Sequence, residues 1–115
     1  MRRYLAGQSG DDVERLDRAL VWRQVVVPPV VITELLSEPS MQAGTRALLE
    51  RAIVLPLLDG YWERAGEMRA DLLRRGLKAK LADSLIAQSC IDHDVPLITY
   101  DRDFRHFESA GLRVI

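Results

Sequence analysis

One cysteine, Cys90, occurs in 115 residues, so no disulfide can close within the chain. Long apolar runs are missing as well. The purely hydrophobic stretches fall far short of the roughly 20 residues that span a bilayer, and no basic n-region, apolar h-region and cleavage site opens the sequence. No membrane segment is expected, and the cytoplasm is the expected compartment. Nor is there an excess of charge of one sign. With 16 Lys and Arg against 17 Asp and Glu, the formal net charge is -1. No whole-molecule field therefore draws the protein to nucleic acid, and any such binding has to use a local patch. There is no Gly-rich phosphate loop and no serine in a nucleophile elbow, and the two histidines, His93 and His106, lack the paired spacing of a zinc motif.

What is present is an ordinary globular composition, 48% hydrophobic and 29% charged, of a length that makes one small domain with its own core. The opening "MRRYLAGQSGDD" reads as a helix end, a turn and the N-cap candidates Ser9, Asp11 and Asp12 of a helix over "VERLDRALVW". A short buried strand, "QVVVPP", follows, and Pro29 suits the first turn of a helix over "VVITELLSE". Next come a helix over "MQAGTRALLERA", a strand "IVLPLL" and a longer helix, "GYWERAGEMRADLLRRG", closing on Gly76. The last third predicts a helix over "ADSLIAQSCI", a turn, the strand "PLITY", a short helical turn and a terminal strand "LRVI". Short β-branched runs separated by helices indicate parallel strands covered on both faces, hence a three-layer α/β/α sandwich with a parallel sheet.

Ligands of such sheets collect at the carboxyl ends of the strands. Glu34, Asp83 and Asp101 all map there, with Asp103 two residues further on. A helix dipole keeps an acid in the first turn ionised, but several carboxylates in one pocket raise one another's pKa unless a cation sits among them. A hard divalent ion would answer that need and would suit phosphodiester hydrolysis. Each acid also has an ordinary reading. Asp83 can be a helix cap, Glu34 a solvated helix residue, and Asp101 and Asp103 turn formers.

"VVVPPVVITELL", "LADSLIAQSCIDHDVPLITYDRDF" and "GLRVI" resemble, in order and over nearly the whole chain, the PIN domain, and within it the VapC-type toxin ribonucleases of bacterial toxin–antitoxin pairs. The resemblance implies an α/β/α sandwich that gathers acids around Mg²⁺ or Mn²⁺ to cut RNA. It implies catalytic and metal-holding roles for Glu34, Asp83 and Asp101, an assisting metal role for Asp103, and a hydroxyl near the site at Thr99. It further implies a cognate VapB-type antitoxin and a homodimer. In the family, a first strand carries one more aspartate and leads into a helix ending like "RRYLAG". The single PIN-like domain over residues 1–115 is accordingly expected to lack that strand and to be N-terminally incomplete.

The primary expectation is a Mg²⁺-dependent endoribonuclease toxin neutralised by its antitoxin. The alternative is a catalytically defective PIN remnant that only binds the antitoxin or another partner. A receiver-like phosphoacceptor domain is disfavoured, because only Asp59 follows "IVLPLL". Arg64, Arg69, Arg74, Arg75, Lys78 and Lys80 form either a basic edge for RNA or solvated helix pairs such as Asp71 with Arg75. Cys90 is expected in the core. Trp22, Tyr61 and Trp62 are either core or a partner surface.

Overall fold

The computed structural model describes residues 26–99 and 101–115. The helix expected over "VERLDRALVW", with Ser9, Asp11, Asp12 and Trp22, lies outside them. The chain forms two compact units, Met1–Leu55 and Pro56–Ile115.

In the first unit, β1 (Val26–Val27) stops at Pro28, which has no N–H to continue a ladder. Pro29 opens α1 (Pro29–Leu36) at a first-turn position, where its fixed φ suits a helix and its missing donor costs nothing. Val31 and Leu35, four residues apart, bury one face of that helix. After α2 (Ala43–Arg51) the chain returns as β2 (Ile53–Val54), parallel to β1, with Val26 opposite Ile53 and Val27 opposite Val54. Parallel neighbours need such a crossover, and α1 and α2 supply it. The Leu55 N–H donates to the Val27 carbonyl at 2.9 Å, adding one further rung. "IVLPLL" is shorter and more open than the sequence suggests. Pro56 cannot donate to a ladder, and the side chains of Ile53 and Val54 are exposed.

In the second unit, α3 (Tyr61–Arg74) packs on α4 (Leu81–Asp92), and both pack on a 3₁₀ helix (Arg102–Ala110). The core comprises Tyr61, Ala65 and Leu72 of α3, Ile86, Ala87 and Cys90 of α4, Phe104 and Phe107, with Leu97 and Leu112. Phe104 and Phe107 are three residues apart, the spacing at which a 3₁₀ turn stacks side chains on one side, and their ring centroids are 6.0 Å apart. Tyr61 spans both environments, its ring buried and its hydroxyl donating to the Leu85 carbonyl at 2.6 Å. The thiol of Cys90 is core, as expected, and burial pushes its pKa up to about 12, which leaves it inert.

Both long helices end in the same motif. Past α3, Gly76 takes φ +76°; its N–H bonds to Leu73 O at 3.0 Å, and that of Leu77 to Leu72 O at 3.0 Å. Past α4, Asp94 takes the left-handed position with φ +51°, and Val95 N–H bonds to Cys90 O at 3.0 Å. The expected strands "PLITY" and "LRVI" reduce to one parallel bridge, Leu97 with Val114, held by Leu97 N–H to Arg113 O at 2.8 Å and Ile115 N–H to Leu97 O at 2.9 Å. Pro96 lacks a donor on one side. On the other, the Thr99 hydroxyl accepts the Asp101 N–H at 3.1 Å and takes that donor out of any ladder. Helices thus connect segments that pair in parallel in each unit, and the α/β class holds.

An ion pair not anticipated from the sequence ties α3 to α4. Arg64 grips Asp92 with two prongs, Nε to Oδ1 at 3.1 Å and the second guanidinium nitrogen to Oδ2 at 2.5 Å, while Gln88 donates to Oδ1 at 2.8 Å. Burial works to raise the Asp92 pKa, but the bonds from Arg64 and Gln88 outweigh it and hold the group below its ordinary value. A depressed folded-state pKa contributes stability that is present above the unfolded-chain value, about 4, and is lost as pH falls through the folded value. In denaturant titrations from neutral to acid pH, Asp92→Asn is therefore expected to be less stable than wild type at neutrality. The difference should shrink below about pH 4; a constant offset at every pH would contradict the linkage.

Candidate functional site

Asp83 is the third residue of α4 and lies in its first turn, after the N-cap Lys80 in extended conformation. It is 2% exposed. An acid at this depth is costly, and the first-turn position offsets part of that cost through the helix dipole. The next residue, Ser84, folds its hydroxyl back onto the Lys80 carbonyl at 2.8 Å, which fixes the entry of the helix. α4 is enclosed on several sides, so that Ser84, Gln88 and Ser89 are buried along with Asp83.

Asp101 caps the 3₁₀ helix, its Oδ1 accepting the Asp103 N–H at 2.9 Å. Its own N–H is held by the buried Thr99. Thr99 thereby orients Asp101, a positioning part for the hydroxyl singled out in the sequence. Asp103 is paired to Lys78 at 3.2 Å, and this bond holds its carboxyl below the usual range. Around that lysine the loop between α3 and α4 is strapped down. Arg69 donates to the Ala79 carbonyl at 2.8 Å, and His106 Nδ1 lies 2.9 Å from the Lys78 carbonyl.

Glu34 lies on α1, in the first unit, and is half-buried. Asp83, Asp101 and Asp103 belong to the second. The structure brings Asp101 and Asp103 together through the cap. Within either unit, among the described residues, no three His, Cys, Asp or Glu side chains form a group that would hold a metal ion. The donors at the predicted positions are carboxylate oxygens throughout. His93 and His106 instead contact main-chain carbonyls, of Pro56 at 2.7 Å and of Lys78, in keeping with turn roles rather than zinc.

The basic edge divides. Arg64 and Arg69 serve Asp92 and the Ala79 carbonyl, and Arg75 reaches Asp71 and Ser109 at 3.4 Å and 3.2 Å. Arg74 lies 4.0 Å from Asp71, and Lys80 is exposed. The ties of Lys78 to Asp103 and of Arg64 to Asp92 were not foreseen, because partners 25 and 28 residues apart leave no periodic signal. No helix among the described residues is long and apolar enough to cross a membrane.

The chain matches the PIN domain family over residues 4–109. No curated protein matches it. Among solved structures it is similar to VapBC2 from Rickettsia felis, described as bound to a DNA fragment from their promoter. The TM-score is 0.68 and the identity 19%, over 97% of this chain and 89% of that one.

Proposed function

This chain belongs to the PIN domain family, and we propose that it is a Mg²⁺-dependent endoribonuclease of the VapC toxin type, acting in the cytoplasm and restrained by a cognate VapB-type antitoxin. The observation that carries the reading is Asp83, a carboxylate kept 2% exposed in the first turn of an enclosed helix. A purely capping acid gains nothing from such depth, since caps work at the surface.

The donor set fits the ion. Carboxylate oxygens are hard ligands suited to Mg²⁺ or Mn²⁺, and Mg²⁺ keeps most of its water and needs only one or two direct carboxylates. Glu34, Asp83 and Asp101 are the acids that would hold it, and Asp103, its carboxylate paired with Lys78, would assist. When bound, the ion neutralises charge on the phosphodiester and lowers the pKa of water. The protein's own contribution is order. Thr99 and the cap fix Asp101, the Ser84 turn fixes Asp83, and exposed Lys80 attracts RNA phosphates. The similar solved protein is a VapBC pair, and an antitoxin of that kind is the partner that would cover these acids.

One observation favours a second reading, a partner-binding module without chemistry. In the second unit, Asp83, Asp101 and Asp103 do not by themselves make a metal-holding group. Cleavage assays with metal titration separate the two. The nuclease is expected to cut RNA with Mg²⁺ or Mn²⁺ and to stop in EDTA. Undiminished cutting in EDTA would overturn the metal role. Tight antitoxin binding with no cutting at any Mg²⁺ concentration would establish the second reading.

A further inference from the structure

We propose that Lys78 is a built-in competitor for the metal ion at Asp103, an ammonium that must give up the carboxylate before a divalent cation can use it, and that so raises the metal concentration at which the site fills. The inference rests on the nuclease reading and adds a regulation to the same site. It starts from a two-point clasp. Lys78 Nζ lies 3.2 Å from Asp103 Oδ2, and the Lys78 carbonyl lies 2.9 Å from His106 Nδ1. Asp103 and His106 are three residues apart on the 3₁₀ helix, the spacing that aligns side chains along one face. One face of this helix therefore holds both the main chain and the head group of a single lysine, while Phe104 and Phe107, at the same spacing, bury a neighbouring face.

The root of the lysine side chain is fixed as well. Before it, Leu77 N–H closes α3 on Leu72 O at 3.0 Å. After it, Arg69 Nε donates to the carbonyl of Ala79, a residue 3% exposed. Ordering a long, exposed lysine offsets most of what a surface ion pair gains, and a fixed root leaves less to order. His106 and Arg69 already fasten the main chain, so fastening the loop does not account for where the ammonium ends.

Its partner is not an isolated surface acid. The Asp103 N–H bonds to Asp101 Oδ1 at 2.9 Å, which places the clasp beside an acid proposed to hold metal. A carboxylate whose charge an ammonium already answers attracts a divalent cation less strongly, and two cations at one carboxylate repel each other. Exposed Lys80, two residues on, acts on Asp103 through its field, whereas Lys78 also bonds to it. The two lysines thus separate competition for the acid from a general effect of positive charge.

The test is calorimetric titration of the full chain with Mn²⁺ in the absence of RNA. Lys78→Met keeps most of the stem and removes the charge. It should bind Mn²⁺ about two- to fivefold more tightly than wild type, the range set by an exposed pair, with the melting temperature little changed. Lys78→Arg, which keeps the pair, should stay near wild type, and Lys80→Met should tighten binding less than Lys78→Met. In an Asp103→Asn background, Lys78→Met should leave the affinity unaltered, because the group it competes for has lost its charge. Equal or weaker Mn²⁺ binding by Lys78→Met would overturn the proposal and make the lysine a support of Asp103, with the nuclease reading untouched. Tightening that persists in the Asp103→Asn background would overturn it too, as a general charge effect. A protein that takes up no Mn²⁺ with or without Lys78 would instead remove the metal reading, and the proposal with it.

Discussion

Asp83→Asn is expected to abolish Mg²⁺-dependent RNA cleavage while leaving the fold close to intact. The amide has the same shape as the carboxylate and keeps an oxygen acceptor, so the buried site remains filled. Two effects on stability oppose each other. The helix N-terminus loses a favourable charge, about 0.3–1 kcal/mol, and the interior no longer has to hold an ionised group. The melting temperature should therefore move little. Activity should fall by roughly 100-fold or more, beyond the 10–100-fold typical of removing a group that only supports a ligand. Asn is a weaker donor to a hard cation and leaves one negative charge fewer to hold it.

Calorimetric titration with Mn²⁺ provides a second readout that does not need turnover, and affinity should drop together with cleavage. Had Asp83 been only a cap, the result would invert, with stability lost and chemistry unchanged. A variant that melts lower yet still cuts RNA would remove Asp83 from the site, and the nuclease proposal would lose its main support. Asp103→Asn should be milder, because its carboxylate is shared with Lys78 at the surface and part of its charge is already answered.

The sequence was most legible where a local rule has a single solution. Pro29 fits only the first turn of a helix, Gly76 supplies the left-handed residue that ends α3, and the apolar spacing through "ADSLIAQSCI" marks α4. It was less legible where a segment's state depends on its neighbours. "PLITY" has the β-branched look of a strand, but pairing takes a partner, and between Pro96 and the turn at Asp101 only Leu97 finds one. The nine-residue 3₁₀ helix was foreseen only as a short turn, since propensity does not separate it from α-helix. For the proposed site, Asp83, Asp101 and Thr99 were identifiable as candidates. Their supports were not, because a strap such as Lys78 to Asp103 depends on the folded path of the loop.

Removing the Phe107 ring is expected to have the largest effect on stability. Phe107 and Phe104 are both 0% exposed, and their tilted contact adds to the value of their burial. Phe→Ala in such a place costs about 3–5 kcal/mol, a large part of the roughly 5–15 kcal/mol that holds a small domain. The segment has little else to rely on. A 3₁₀ helix has poor hydrogen-bond geometry and seldom runs long, so its persistence over Arg102–Ala110 rests on the two rings beneath it. Leu112 is fastened to the same place, its side chain buried and its N–H bonded to the Phe107 carbonyl at 3.2 Å. Phe107→Ala should lower the melting temperature by on the order of 15 °C. Glu108→Ala, on the exposed side, should change stability by no more than about 0.5 kcal/mol. The loss should also reach the chemistry, since the helix being loosened is the one that Asp101 caps and from which Asp103 meets Lys78. Faster amide exchange at Asp103 in the variant would show that the cap opens with the core. A Phe107→Ala protein with unchanged melting and an equally protected Asp103 amide would mean that the acids are held by the loop and its straps rather than by the aromatic pair.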